Sequence, residues 1–125
     1  MKKIVKTDKA PAPVGPYNQA IITEDFIFTA GQIALDPESG ELESEDIKLQ
    51  TERVIQNLRA VLVEAGSELS KVVKTTVFLK NMDDFMAMNE VYARYFSGEA
   101  PARSAVEVSR LPKDVLVEIE CIALT

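Results

Sequence analysis

Arg103 and Glu118 are the two side chains whose types and placement point to chemistry. Arg103 stands in Pro101-Ala102-Arg103-Ser104-Ala105-Val106-Glu107-Val108, just after a proline and at the head of an alternating apolar stretch. A guanidinium placed there is partly buried, and a buried guanidinium needs an anionic partner. Fifteen residues further on, a second alternating stretch carries Glu118 and Glu120. A planar fork that grips a carboxylate, together with a carboxylate that moves a proton, makes a small active site. Such a site requires no histidine, metal or cofactor.

The rest of the composition narrows the chemistry. The chain has 125 residues, no histidine and one cysteine, Cys121. Without histidine there is no Ser-His-Asp or Cys-His catalysis, no histidine metal site and no ordinary neutral-pH proton shuttle. A single cysteine forms no intrachain disulfide and no thiolate metal cluster. The net charge of −6 counts against nucleic acid as a main partner, because phosphate binding needs clustered Lys and Arg, and the fourteen here are scattered. No apolar run is long enough for a membrane span. The basic start Met1-Lys2-Lys3 lacks an apolar segment and a cleavage site, so it reads as an edge strand, with the cytoplasm as the default compartment.

The elements that must position these residues are legible as periodicities within one domain, 1–125. Ala10-Pro11-Ala12-Pro13-Val14-Gly15-Pro16 is a stiff loop. Ala20–Ile22 and Phe26–Ala30 flank a hairpin turn, and Gly31 interrupts the second strand as at a bulge or close approach. Residues 45–65 place Ile47, Thr51, Val54, Ile55, Leu58, Val61, Leu62 and Ala65 on one helical stripe, with Ser44 as N-cap and Gly66 just past the end. A β-branched strand spans Val72 to Leu79. A second helix near 83–96, capped by Asn81 or Asp83, places Phe85, Asn89, Tyr92 and Phe96 along one stripe. Strands near 103–109 and 115–124 complete the order β-β-β-α-β-α-β-β, an α+β fold with two helices on one face of a mixed sheet.

The last strand has two apolar faces. Val115, Val117, Ile119, Cys121 and Ala123 share one; Leu116, Glu118, Glu120, Ile122 and Leu124 share the other. Two helices cover one face only, so the face with the glutamates is expected to meet another subunit or to border a cleft. The alternative is a solvent face with a few apolar residues.

Several blocks taken together resemble the RidA/YjgF family of reactive-intermediate deaminases. They are Gly15-Pro16-Tyr17, Thr29-Ala30-Gly31-Gln32-Ile33, Val73–Leu79, Pro101-Ala102-Arg103-Ser104, and Leu111-Pro112 followed by Val117–Ala123. The resemblance runs in order across nearly the whole chain. It implies a chorismate-mutase-like fold and a homotrimer whose sheets surround a central barrel, with a cleft at each subunit interface. The implied reaction is cofactor-free hydrolysis of 2-imino acids, 2-iminopropanoate and 2-iminobutanoate, to 2-keto acids and ammonia. By the same resemblance Arg103 holds the substrate carboxylate. Glu118 positions or activates water, Tyr17 and Asn89 line the pocket, and Gly31 lets backbone approach the ligand. Ala30 stands where relatives commonly have serine, and Ala105 where they commonly have cysteine. Both changes leave the backbone amides, so activity is expected to survive, and substrate preference is the property left open.

Plainer roles stand beside these. Arg103 is open to reading as a structural ion-pair partner, Glu118 as a solvated strand residue, Asn89 as a cap or bridge within its helix, and Tyr17 as a core aromatic that orders the proline loop. Cys121 reads as a small buried hydrophobe. The acidic run Glu38, Glu41, Glu43, Glu45, Asp46 reads as a solvated loop and helix start. Met82, Met86 and Met88 read as core or helix residues. A non-catalytic trimer binding small carboxylates at Arg103 is the competing function. An RNA-directed role fits poorly with an acidic chain lacking histidine and any basic, aromatic-interleaved stripe.

Overall fold

The computed structural model describes residues 1–125. Six strands form one sheet in the order β1-β2-β3-β6-β4-β5, where β1 is Lys3–Val5, β2 Ala20–Ile22, β3 Phe26–Thr29, β4 Val72–Leu79, β5 Ala102–Glu107 and β6 Val117–Leu124. All pairings are antiparallel except β4 with β5. That parallel pair requires a crossover, which helix α2, Phe85–Tyr95, supplies. Helix α1, Ile47–Glu64, packs beside α2 on the same face of the sheet. The mixed sheet with both helices on one face is the α+β arrangement expected from the periodicities.

Helix boundaries differ from the sequence expectation by a residue or two. Asp46, rather than Ser44, caps α1: its Oδ2 accepts from the Leu49 N–H at 3.0 Å. Ser44 sits two residues too early and instead accepts from the Asp46 N–H. At the other end Gly66 takes φ +84°, and the Gly66 and Ser67 amides donate to the Val63 and Leu62 carbonyls, closing the helix with a Schellman motif. Helix α2 begins later than expected, because Met82–Asp84 forms a separate 3₁₀ turn capped by Asn81.

The core lies between the helices and the sheet. Val54, Ile55, Leu58, Val61 and Leu62 of α1 and Val117, Ile119 and Ala123 of β6 are all fully buried or nearly so. Burying each large side chain contributes about 1.5–3 kcal/mol. Met88 belongs to this core, whereas Met82 and Met86 are exposed. Two buried amides on the apolar stripe of α1 hold the loops that flank the sheet. Asn57 donates to the carbonyls of Ile33 and Leu35, both at 3.1 Å. Gln50 accepts from the Leu116 N–H at 2.8 Å and donates to the Ser44 carbonyl. They fix the approach to β6, on which Glu118 sits.

Candidate active site

Register places Arg103. In the parallel β4–β5 pair it lies beside Thr75, and Thr75 lies beside Cys121 of β6. Thr75 and Cys121 are buried under the helices, so Arg103 also projects from the helix face of the sheet. It meets the stripe on α2. The Arg103 guanidinium donates from Nη1 to Asn89 Oδ1 at 2.7 Å, and its Cζ lies 4.7 Å from the Tyr92 ring centre and 5.4 Å from that of Phe85. The Tyr92 hydroxyl is in turn hydrogen-bonded to Thr75 Oγ1 at 2.7 Å. Burial raises the Tyr92 pKa above its ordinary value, against smaller lowering effects of Thr75 and Arg103.

Arg103 has no acidic partner within the chain. The ion pairs are Lys48–Glu90, Arg53–Glu43 and Arg110–Asp114. The structural ion-pair role therefore finds no counter-ion. A neutral amide and two aromatic faces hold the charge without neutralising it. Asn89, for its part, spends its carbonyl oxygen on Arg103 rather than on a helix cap.

Glu118 points the other way. Its strand neighbours Val117 and Ile119 are buried against the helices, so alternation sends Glu118 to the opposite face of the sheet. There it borders a cleft of about 530 Å³ shared with Tyr17, Gly31, Ile33, Pro112 and Lys113. Burial, and secondarily the nearby Glu120 carboxylate, raise the Glu118 pKa above the ordinary glutamate value. A carboxylate shifted in this direction holds a proton more readily than a solvated glutamate does.

Gly31 makes room for this carboxylate. Between the Phe28–Ile122 and Gln32–Ile119 pairings the first strand carries one residue more than β6, a bulge at the end of β3. A Cβ at Gly31 would overlap a Glu118 carboxylate oxygen and stand 2.8 Å from its Cδ. What the glycine supplies is space for the Glu118 carboxylate in this position, not a left-handed backbone, since its φ is not positive.

Tyr17 is about half exposed at the cleft and is not a core residue. Its hydroxyl accepts from the Val14 N–H at 3.3 Å, so it does order the proline loop. Ala30 lines the same cleft, and its amide donates to the Gln19 carbonyl at 2.9 Å. That amide is spent on the fold. Ala105 lies beside Val77 on the Arg103 face, packed against the core. Cys121 is buried; desolvation pushes its thiol up to about 11, which leaves it inert as a nucleophile.

The candidate residues thus fall into two groups. Tyr17, Gly31 and Glu118 share one cleft. Arg103, Asn89 and Ala105 share the other face. Within a single chain the fork and the proton carrier do not meet. The Glu118 face is also strongly apolar, with Phe26, Phe28, Val106 and Leu124 each about two-fifths exposed.

Two contributors were not foreseen from the sequence. Gln19 is buried and clamps the proline loop: it accepts from the Thr7 N–H at 2.7 Å and donates toward the Thr7, Ala10 and Pro11 carbonyls. Lys113, at the cleft, adopts φ +55° next to Asp114 at φ +53°. The turn after Pro112 is the only signal of it in the sequence.

Comparison with known proteins agrees with the overall fold. The family described as Endoribonuclease L-PSP matches residues 7–125. A RutC family protein of Pyrococcus abyssi is 61% identical over 122 residues, covering 98% of this chain and 96% of that protein. Reactive Intermediate Deaminase A of Arabidopsis thaliana, a chloroplastic protein, is 46% identical over 122 residues, covering 98% of this chain and 65% of its own. The crystal structure of E. coli TdcF with bound serine superimposes with a TM-score of 0.94 at 40% identity, covering 98% of each chain. The chain belongs to the L-PSP family, the family of the RutC and RidA proteins.

Proposed function

We propose that this protein hydrolyses small 2-imino acids, such as 2-iminopropanoate and 2-iminobutanoate, to 2-keto acids and ammonia. Each site would join the Arg103 face of one subunit to the Glu118 cleft of a neighbour in a homotrimer. The observation that carries the proposal is Arg103, a partly buried guanidinium with free donor edges and no anionic partner in its own chain. A planar carboxylate fits those edges bidentately and fixes the substrate. The exposed apolar face that carries Glu118 supports assembly.

The chemistry is an addition followed by an elimination. Water adds to the carbon of the protonated imine while Glu118 accepts one water proton, giving a neutral tetrahedral carbinolamine. That proton passes from Glu118 to nitrogen; Glu118 then takes the hydroxyl proton as the C–N bond breaks, so the carbonyl forms, ammonia leaves, and the last proton goes from Glu118 to the departing ammonia. The raised pKa of Glu118 supports the role, since a half-buried carboxylate at the cleft is a stronger proton acceptor than a solvated one. The deaminase name of the Arabidopsis relative supports the reaction class. The serine bound to TdcF favours a second reading, a trimer that binds small carboxylates without turning them over.

Turnover separates the two. 2-Iminopropanoate is generated in situ by an amino-acid oxidase, and residual imine is trapped with semicarbazide. Wild type should accelerate keto-acid formation, and Arg103→Ala should match the no-protein control while remaining folded. Equal rates in all three would reject these imines as substrates and favour the binding reading.

A further inference from the structure

We infer that Tyr92, with Phe85, is a positioning residue for Arg103, holding the guanidinium by its face so that its edge stays open to a carboxylate. The inference rests on the carboxylate-binding reading of Arg103. A guanidinium is planar: its donors lie in the plane, and its faces carry none. An acidic partner would neutralise the charge and take the donor edge. Aromatic rings attract the charge through the face instead. Here Cζ lies over Tyr92 at 4.7 Å and near Phe85 at 5.4 Å, and a single edge contact, to Asn89, sets the rotation.

Tyr92 is itself fixed. Its ring packs on Phe96 with centroids 4.6 Å apart, and its hydroxyl is tied to the fully buried Thr75. Thr75 is the β4 neighbour of Arg103 in the strand register. The strand that sets the backbone of Arg103 therefore also anchors the ring that sets its side chain. An offset between helix and sheet would be felt at both points together.

The test uses pyruvate as the probe, with binding followed by calorimetry and imine hydrolysis followed in parallel. Variants are Arg103→Ala, Tyr92→Leu, Tyr92→Phe and Phe85→Leu. Tyr92→Leu and Phe85→Leu should each weaken pyruvate binding about threefold to tenfold and raise KM similarly, with kcat within about twofold. Tyr92→Phe, which keeps the ring and its packing on Phe96 but loses the Thr75 tie, should weaken binding less than Tyr92→Leu does. Adding Phe85→Leu to Arg103→Ala should weaken residual binding no further, because the ring acts through the arginine. Phe85 is only partly buried, so its variant keeps the test valid if Tyr92→Leu fails to fold. Pyruvate binding lost in Arg103→Ala yet unchanged in Tyr92→Leu and Phe85→Leu would overturn the positioning role alone. Pyruvate bound equally by wild type and Arg103→Ala would overturn the carboxylate role of Arg103 itself.

Discussion

Arg103 and Glu118 project from opposite faces of the same sheet, one against α2 and the other over the Gly31 cleft. If catalysis needs both, each site takes them from two subunits in a heterologous contact. Arg103→Ala and Glu118→Ala should then each be inactive alone and complement one another when co-refolded. Random mixing restores about a quarter of the sites, since each intact site needs one subunit of each kind on the correct sides. Activity that stays at the level of the separate variants would rule out a site shared in this way.

Gly31→Ala should both destabilise the protein and impair it. The added methyl meets the end of the Glu118 side chain, which must swing out of its place in the cleft; because a side-chain end moves readily, the loss should sit near the low end of the ~1–3 kcal/mol of overpacking. Most of that cost should disappear in a Glu118→Ala background, which removes the clashing group. Denaturant unfolding of the four proteins of the cycle measures the coupling. Additive losses would show that the strain lies in the backbone of the bulge instead.

The pH dependence of stability should carry the mark of Glu118. Its folded pKa is raised, so the folded chain holds this proton more tightly than the unfolded chain does. Stability from this group is present below the ordinary value of 4.5 and is lost as pH rises through the higher folded value. Glu118→Gln should therefore match wild type in acid and exceed it in Tm above that window. In turnover, the acid limb of kcat/KM should fall above the ordinary glutamate range. Glu120→Gln should move that limb to lower pH, because the Glu120 charge is the second cause of the shift. A limb unmoved by Glu120→Gln would mean that another group sets it.

Gln19→Ala should loosen the proline loop. The side chain satisfies one amide and reaches three carbonyls of residues 7–11 from a buried position. Its loss leaves these groups unpaired at a cost of about 2 kcal/mol or more. Limited proteolysis should then cut first within residues 8–16. Cleavage elsewhere, with an unchanged Tm, would show that the prolines alone order the loop.

The fold was legible where a period settles it. The stripe from Ile47 to Leu62, the hairpin around Thr23-Glu24-Asp25 and the two faces of β6 follow from spacings of 3.6 and 2. The partners of buried amides were not legible. Gln19, Gln50 and Asn57 bond to carbonyls distant in the chain, and a residue type does not name its partner. Gln50 and Asn57 did leave a trace, as polar residues on an otherwise apolar face of α1. The separation of Arg103 from Glu118 was equally hidden. Alternation within each strand was clear, but the relative facing of β5 and β6 depends on how both register with β4.

The position of β6 constrains how the chain is made. It is the last strand in sequence and yet lies inside the sheet, between β3 and β4, which do not pair with one another. Until Val117–Leu124 emerges from the ribosome, the hairpin strands and the crossover strands share no ladder of the sheet. The strand that closes the sheet is thus the last of the six to be made, and it also delivers Glu118. A chain cut short before it has neither a joined fold nor the carboxylate, so no truncated product can carry half of the chemistry on a finished scaffold.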